Sequence, residues 1–486
     1  MKILLVDPPG NNKGLNTGLG YLSAMLKTHH EVLVLDLNNI EPGSCGDPNP
    51  EMPLQEVEER VSSTVKRFEP DLFGVSVKTF TSRISKIIFK SAKKQKKDLI
   101  TLAGGAHITL DGYSYMKEIG IDFGVKGEGD YTTLELCDTL EKQGNVNTLA
   151  GLLYWENNNL LQNPRNEGIT DLDQLPFPDY SNFTSVMDNG DTLNEYPILT
   201  SRGCVFQCSY CSMPEIMGKV WRSQSPERVL NELLHAKEIY NIKRFTVIDD
   251  NFTLNIKRAE DICDQLISNN IDLPWSSQNG IRADRISETL ATKMGRSGCE
   301  YVWIGVESAD EKVFEWINKG ETLEDIVRGI RYLKEAGIRV GGFFITGLPL
   351  SSRKSDLKAV EFVKNLKIDA WWFQFIPYPY TKAWDWVKEN GRILRPIEGA
   401  IQYGGAKIDP VFETDNYSRE DRIKTYNEIH IRMHYFDRLS EASGKSFFRW
   451  FSVLKKIMPY GPGIVSSFII FLIKNYLRIL KSGLTR

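Results

Sequence analysis

Short apolar runs separated by amphipathic stretches recur along the first part of the chain: "KILLVD", "EVLVLD", "DLFGVSV", "LITLAGG" and "IDFGVKG". Runs this continuously apolar predict strands buried on both faces, and the helical periodicity of segments between them, such as "LGYLSAMLK" and "ISKIIFKSAKKQ", predicts crossover helices. Residues 1–142 therefore read as a doubly wound, Rossmann-like α/β domain. The polar, Asn-rich "YWENNNLLQNPRNEG" and the proline-bearing "LPFPDYSNF" predict an extended linker over 143–192. Alternation resumes with "PILTSRG", "RFTVIDD", "PWSSQNG", "YVWIGVES", "RVGGFFITGLP" and "AWWFQFIPYP". These predict a partial (β/α)6, TIM-like barrel over 193–392, whose site should lie at the C-terminal ends of its strands. Residues 393–486 read as a helical region ending in a basic, apolar tail.

Composition narrows the setting. A chain of 486 residues is too long for one typical core, and 41% hydrophobic with 25% charged residues is ordinary for globular proteins. A net charge of -3 gives no reason to expect nucleic acid as a partner. The start, "MKILLVDPPGNN", enters a strand without a signal-peptide h-region, which predicts a cytoplasmic location. Seven cysteines, three of them in "SRGCVFQCSYCSMPE", then point to metal or redox chemistry rather than disulfides.

Cys204, Cys208 and Cys211 follow the first strand of the barrel, so their loop belongs to its catalytic face. Neither a CxxC nor an HxxxH partner lies nearby, and structural zinc generally takes four protein ligands. Three thiolates suit a 4Fe-4S cluster with one iron left open; a zinc loop completed by a remote His or Cys is the alternative. Cys45 and Cys137 stand far apart in sequence, and Cys263 and Cys299 read as buried packing residues.

The spacing C-x3-C-x-(aromatic)-C, formed by Cys204, Cys208, Tyr210 and Cys211, resembles the signature of radical S-adenosylmethionine (SAM) enzymes. The resemblance implies that the three cysteines hold a 4Fe-4S cluster whose open iron binds SAM, and that reductive cleavage yields a 5'-deoxyadenosyl radical. It also implies SAM contacts at Tyr210, at Asp249, Asp250 and Asn251 of "VIDDNFT", at Asn279 and Arg282 of "NGIRAD", at Glu307 and Ser308 of "IGVES", and at Gly347 of "GLP". A DD pair at a strand end is equally a common helix N-cap, so Asp249 and Asp250 carry two readings. An external electron donor such as flavodoxin or ferredoxin follows from the same resemblance.

In the first domain, no GxGxxG follows "KILLVD", and "DPPGNNKGLNTGLG" does not fit the phosphate-loop pattern. The layout resembles the cobalamin-binding domain of a radical SAM subclass. Its matching pieces imply contacts at Gly18, Leu19, Gly20, Ser76, Thr79, Gly104, Gly105, His107, Gly127 and Glu128. Gly104 and Gly105 would let backbone lie close under the corrin or its nucleotide tail. The DxHxxG motif is absent, with "DPPGNNKG" in its place, which implies cobalamin without a lower-face histidine; His107 also reads as a hydrogen-bonding loop residue. Within that subclass the expected reaction is methylation of an unactivated carbon. Cyclisation, ring contraction or carbon-carbon coupling form the alternative, and a non-catalytic iron-sulfur scaffold is the reading from another class. A methylthiotransferase is disfavoured, since no second cysteine triad precedes the barrel.

After Glu441 the chain has no acidic residue, while Lys445, Arg449, Lys455, Lys456, Lys474, Arg478 and Lys481 interleave with "FFRWF", "IMPY" and "IVSSFIIFLI". The last run falls short of the ~20 apolar residues that span a bilayer. Such a tail suits an interfacial helix on the inner face of a membrane, with a lipid or other small molecule as substrate; a helical pair packed on the barrel is the other reading. The aromatic run "WWFQFIPYPY", Trp371 to Tyr380, lines either an apolar pocket or the barrel core.

Overall fold

The computed structural model describes residues 1–40, 52–165, 168–400, 408–435 and 449–483. The first sheet contains β1 (Lys2–Asp7), β2 (Glu31–Asp36), β3 (Leu72–Ser76), β4 (Ile100–Gly104), β5 (Phe123–Val125), β6 (Leu152–Glu156) and β7 (Asn159–Gln162), in the order 2-1-3-4-5-6-7. Strands β1 to β5 run parallel, and β6 and β7 add antiparallel. The parallel strands are apolar on both faces because helices cover both. Val57, Val61, Ile88 and Ile108, from helices α2 (Leu54–Phe68), α3 (Ser82–Gln95) and α4 (Ala106–Ile119), build the core on one face. On the other, α1 (Thr17–Leu26) and α5 (Asp130–Glu141) contribute Leu19, Leu26 and Leu136. The strand order reverses between β1 and β3, which places a crevice above their C-terminal ends.

The span 143–192 is more than a linker. "LLYWENNNLLQ" forms the β6–β7 hairpin around Asn157 and Asn158, with φ of 50° and 63°. Asparagine tolerates that left-handed conformation, so an Asn-rich polar stretch became a tight turn. Further on, Asn182 and Phe183 run along the outer edge of β2, with the Val34 amide donating to the Asn182 carbonyl at 2.9 Å. Tyr180 and Phe183 are fully buried and join the first sheet to the second in one continuous core.

The second sheet contains β8 (Glu195–Ile198), β11 (Arg244–Val247), β12 (Trp275–Ile281), β13 (Cys299–Glu307), β14 (Arg339–Thr346) and β15 (Asp369–Gln374), all parallel and neighbours in that order. The short pair β9 (Ser201–Arg202) and β10 (Arg222–Ser223) brackets the cysteine loop. Strands β13 and β14 alternate: Val302, Ile304, Val340 and Phe344 are buried, while Trp303, Phe343 and Ile345 point to the half-buried inner face. A helix at Arg419–Arg432 docks on the outside, its Tyr426 hydroxyl donating to the Trp372 carbonyl at 3.2 Å.

Helices Arg449–Ile457 and Pro462–Gly483 form a satellite hairpin around Val453, Ile457 and Phe468. Lys445 and Cys45 lie outside the described residues.

Candidate functional site

The cysteine loop leaves β9 through Gly203, whose φ of 84° and 2.6 Å approach of a Cβ to the Val220 carbonyl exclude other residues. All three cysteines are half-buried. The Asn251 amide donates to Cys204 Sγ at 3.8 Å, and the Met213 backbone amide donates to Cys211 Sγ at 3.5 Å. Burial pushes the Cys208 thiol up to about 11 and the Cys211 thiol up to about 12. Metal loading must therefore displace protons from both.

Among the described residues, the one set of three His, Cys, Asp or Glu side chains whose donor atoms all lie within 4.8 Å of one another is His30, Asp138 and Glu141. A single zinc would draw thiolates to about 3.8 Å of one another, given a tetrahedron of ~2.3 Å Zn–S bonds. Cys204, Cys208 and Cys211 do not form such a set, so their sulfurs as they lie are not gathered round a single ion.

The ends of β11 to β14 surround this loop. Glu307 ends β13 with φ of 64°, a strained value for a non-glycine residue, and its carboxyl lies beside the Tyr210 hydroxyl and pairs with Lys319 at 3.5 Å. Its pKa is raised, chiefly by burial, against the lowering effect of Lys319. Asp250 accepts from the Gly203 amide at 3.3 Å, and burial beside Asp249 raises it to about 6. Asn251 keeps a buried side-chain oxygen without a partner. Asn279 is exposed and donates to the Ile248 carbonyl at 2.9 Å.

Three of the expected contacts have other tasks. Asp249 is consumed by Thr200 and Ser201, accepting from the Thr200 amide and both hydroxyls at 2.6 Å each, so it braces the strand before the cysteine loop. Arg282 is engaged by the cysteine loop itself: its Nη1 donates to the Lys319 carbonyl at 2.5 Å and its guanidinium lies 3.5 Å from the Phe206 ring. Ser308 accepts from the Asp310 amide at 3.2 Å, in the turn before the helix Glu311–Ile317 that Asp310 caps. Gly347, φ 78°, donates to Asp356 at 3.0 Å and accepts from Arg422 at 2.8 Å.

Above the first sheet lies a cavity of about 210 Å³ lined by Gly18, Leu19, Ser76, Gly104, Gly105, Gly127 and Glu128. Glycine backbone and apolar side chains, among them Leu5, Leu102 and Val125, make up its walls, and a Cβ on Gly104 would meet nothing within 4 Å. That volume is below the ~300–1,000 Å³ of drug-sized ligand sites, so it suits part of a cobalamin, such as the nucleotide tail. Gly20 faces elsewhere, with its Cβ position 2.7 Å from the Tyr180 ring. Thr79 and His107 line a separate cavity of about 260 Å³ bounded by Trp384, Arg395 and Glu398. His107 packs edge-on against Tyr115 with centroids 5.1 Å apart, and burial lowers its pKa. The Glu128 carboxylate is committed to Arg222, at 2.7 and 2.9 Å.

Sequence reasoning missed the residues that join the two halves. Arg202 pairs with Asp130 at 2.9 and 3.2 Å and lies 4.8 Å from the Tyr21 ring, and all three line the glycine-rich cavity. The available signal was an acidic pair flanking Gly129 and an arginine just before the cysteine loop.

Residues 198–363 match the Radical SAM superfamily, and residues 11–137 match the B12 binding domain. The chain is 31% identical over 441 residues to an uncharacterised methyltransferase of Pyrococcus horikoshii, covering 89% of this chain and 92% of that one. It is 26% identical over 373 residues to cytidylyl-2-hydroxyethylphosphonate methyltransferase of Streptomyces wedmorensis, covering 68% of each. In fold it is similar to the radical S-adenosylmethionine methyltransferase TsrM of Kitasatospora setae, solved with cobalamin and a [4Fe-4S] cluster bound, with a TM-score of 0.66, 19% identity and 81% of each chain covered. The cobalamin-dependent S-adenosylmethionine radical enzyme OxsB gives a TM-score of 0.61 at 19% identity, with 80% of this chain and 55% of that one covered.

Proposed function

Because the chain belongs to the radical SAM superfamily, in the branch that carries a B12 binding domain, we propose that it methylates an unactivated carbon of a hydrophobic or natural-product substrate. It is a radical SAM enzyme whose cofactors are a 4Fe-4S cluster, SAM and cobalamin. The observation that carries the proposal is a shared wall: Leu199, Arg202 and Met217, which flank the cysteine loop, also line the glycine-rich cavity of the first domain. When bound, these groups supply reductive cleavage of SAM to a 5'-deoxyadenosyl radical and a methyl group for transfer to carbon.

The chain's own residues hold and orient. Cys204, Cys208 and Cys211 are the proposed cluster ligands, with the Asn251 and Met213 donors directed at two of the sulfurs. Glu307, Asp250, Asn251 and Tyr210 are the proposed SAM contacts, while Asp249, Arg282 and Ser308 brace the surrounding loops. Gly18, Leu19, Ser76, Gly104, Gly105 and Gly127 offer backbone and apolar surface to the cobalamin. On the inner face of the barrel, Trp303 stacks on Phe343 at 4.7 Å, and Trp371 and Phe373 meet these rings edge-on at 6.4 and 5.4 Å. These half-buried rings exclude water and favour an apolar substrate.

Peripheral membrane contact belongs to the same reading. On the helix Pro462–Gly483, Ile469, Ile470 and Ile473 are 49%, 53% and 54% exposed along one face. Among the described residues no helix is long and apolar enough to cross a membrane. A flavodoxin or ferredoxin is the proposed electron donor, and the cytoplasm the proposed location.

Anaerobic reconstitution with iron, sulfide and hydroxocobalamin, followed by a dithionite-driven assay, tests the function. Formation of 5'-deoxyadenosine and S-adenosylhomocysteine together, abolished in Cys208→Ala, is expected. Deoxyadenosine without S-adenosylhomocysteine, in the presence of an accepted substrate, would favour cyclisation or carbon-carbon coupling instead.

A further inference from the structure

Of the residues interleaved with the three cysteines, Val205 and Gln207 are exposed, while Phe206, Ser209 and Tyr210 are tethered to neighbouring elements, the Ser209 carbonyl accepting from the Ala383 amide at 2.8 Å. Between Cys204 and Cys208, Phe206 is covered by the Arg282 guanidinium and approaches Gly320, whose Cβ position lies 3.8 Å from the ring. Between Cys208 and Cys211, the Ser209 amide donates to the Ile317 carbonyl at 2.9 Å and the Ser209 hydroxyl to the Trp316 carbonyl at 3.0 Å. The Tyr210 hydroxyl lies beside the Glu307 carboxyl. Most of these contacts run to the turn 316–321, to Glu307, or to Arg282, which itself donates to the Lys319 carbonyl.

Lys319 sits where these tethers converge. Its side chain is only 6% exposed, and its ammonium donates to the Gly305 carbonyl, pairs with Glu321 at 3.0 Å and lies 3.5 Å from Glu307. Its own carbonyl receives Arg282. Gly305 is what makes the meeting possible, because a Cβ there would stand 2.5 Å from the Glu307 carboxylate and 2.8 Å from the Lys319 nitrogen. Burial alone would favour loss of the proton, yet the two carboxylates outweigh it and hold the ammonium charged.

The geometry points to Lys319 as a positioning residue for the cluster, fixing the register of the cysteine loop on the turn 316–321 and setting a buried positive charge beside the cluster's electron-accepting site. This rests on the reading that Cys204, Cys208 and Cys211 hold the cluster. A buried cation stabilises added negative charge, so its removal makes reduction harder.

The test compares Lys319→Met and Lys319→Arg with the wild-type chain after anaerobic loading with iron and sulfide. It reads iron content, the electron paramagnetic resonance spectrum of the reduced cluster, and its midpoint potential. The Met chain is expected to show a more negative potential and altered g-values, with the Arg chain returning both toward wild type. Should the Met chain fail to fold, Lys319→Gln carries the same readouts. A Met or Gln chain with wild-type potential and spectrum overturns the inference, even with a lowered melting temperature. A wild-type chain that takes up no iron-sulfur cluster overturns the proposed function, and this inference with it.

Discussion

At the scale of single residues, the two kinds of glycine in the first domain separate folding from binding. Gly105 has φ of 98° and a Cβ position 2.8 Å from the Val77 carbonyl, so any side chain there strains the backbone. Gly104, beside it, has open space where a side chain would go. Gly104→Val should therefore fold with little change in melting temperature but retain cobalamin at least about tenfold less tightly, ~1.4 kcal/mol, because its side chain occupies the cavity. The visible spectrum of the desalted protein reads this directly, and undiminished corrin would remove Gly104 from the site. Asp356 offers a second test. It accepts from the Gly347 amide at 3.0 Å and from the Tyr417 hydroxyl at 2.9 Å, yet burial lifts it from 3.8 to about 7. In the folded chain it keeps a proton that the unfolded chain has lost, so its contribution to stability falls as pH rises from about 4 to about 7. Asp356→Asn, neutral at every pH, should flatten the decline of melting temperature across that window; an unchanged slope would show that Asp356 is ionised in the fold.

At the scale of elements, strands buried on both faces were legible because their apolar runs have no other explanation, and the cysteine loop was legible because its spacing is chemical rather than structural. The β6–β7 hairpin was not, since Trp155 and Leu161, on opposite faces, remain 37% and 36% exposed and its polar residues dilute the strand pattern. Which strand-end carboxylates face the site also escaped the sequence: Asp249 and Asp250 are adjacent, yet only tertiary placement of Thr200 and Ser201 decides that the first is consumed. The tail helix allows an element-scale prediction. Residues Ile469, Ile470 and Ile473 share a face with Lys474, opposite the Phe468 side that packs on Val453 and Ile457. Wild-type protein should co-sediment with vesicles rich in anionic lipid more than with neutral ones, and replacing Ile470 and Ile473 by serine should weaken partitioning about tenfold. Equal sedimentation of wild type and variant would assign the stripe to a protein contact or to none.

At the scale of the whole molecule, the two cofactor-bearing halves are joined by charge as well as by core. Arg202–Asp130 and Arg222–Glu128 are buried pairs, with all four side chains at most 7% exposed, and they cross from the first domain to the strands flanking the cysteine loop. Apolar contact through Tyr180 and Phe183 alone would leave the halves free to slide, because hydrophobic burial has no direction. Bidentate arginine pairs fix an angle. Removing one partner strands the other charge in a dry interface, at a cost of about 3–5 kcal/mol. Arg222→Met should therefore lower the melting temperature of the apoprotein and separate the unfolding of the two sheets into distinct transitions relative to wild type. It should also uncouple product from radical: deoxyadenosine would persist while S-adenosylhomocysteine falls, because the cysteine loop stays intact and the glycine-lined cavity loses its fixed distance from it. A parallel fall of both products would place Arg222 within the radical-generating site itself rather than at the joint between the halves.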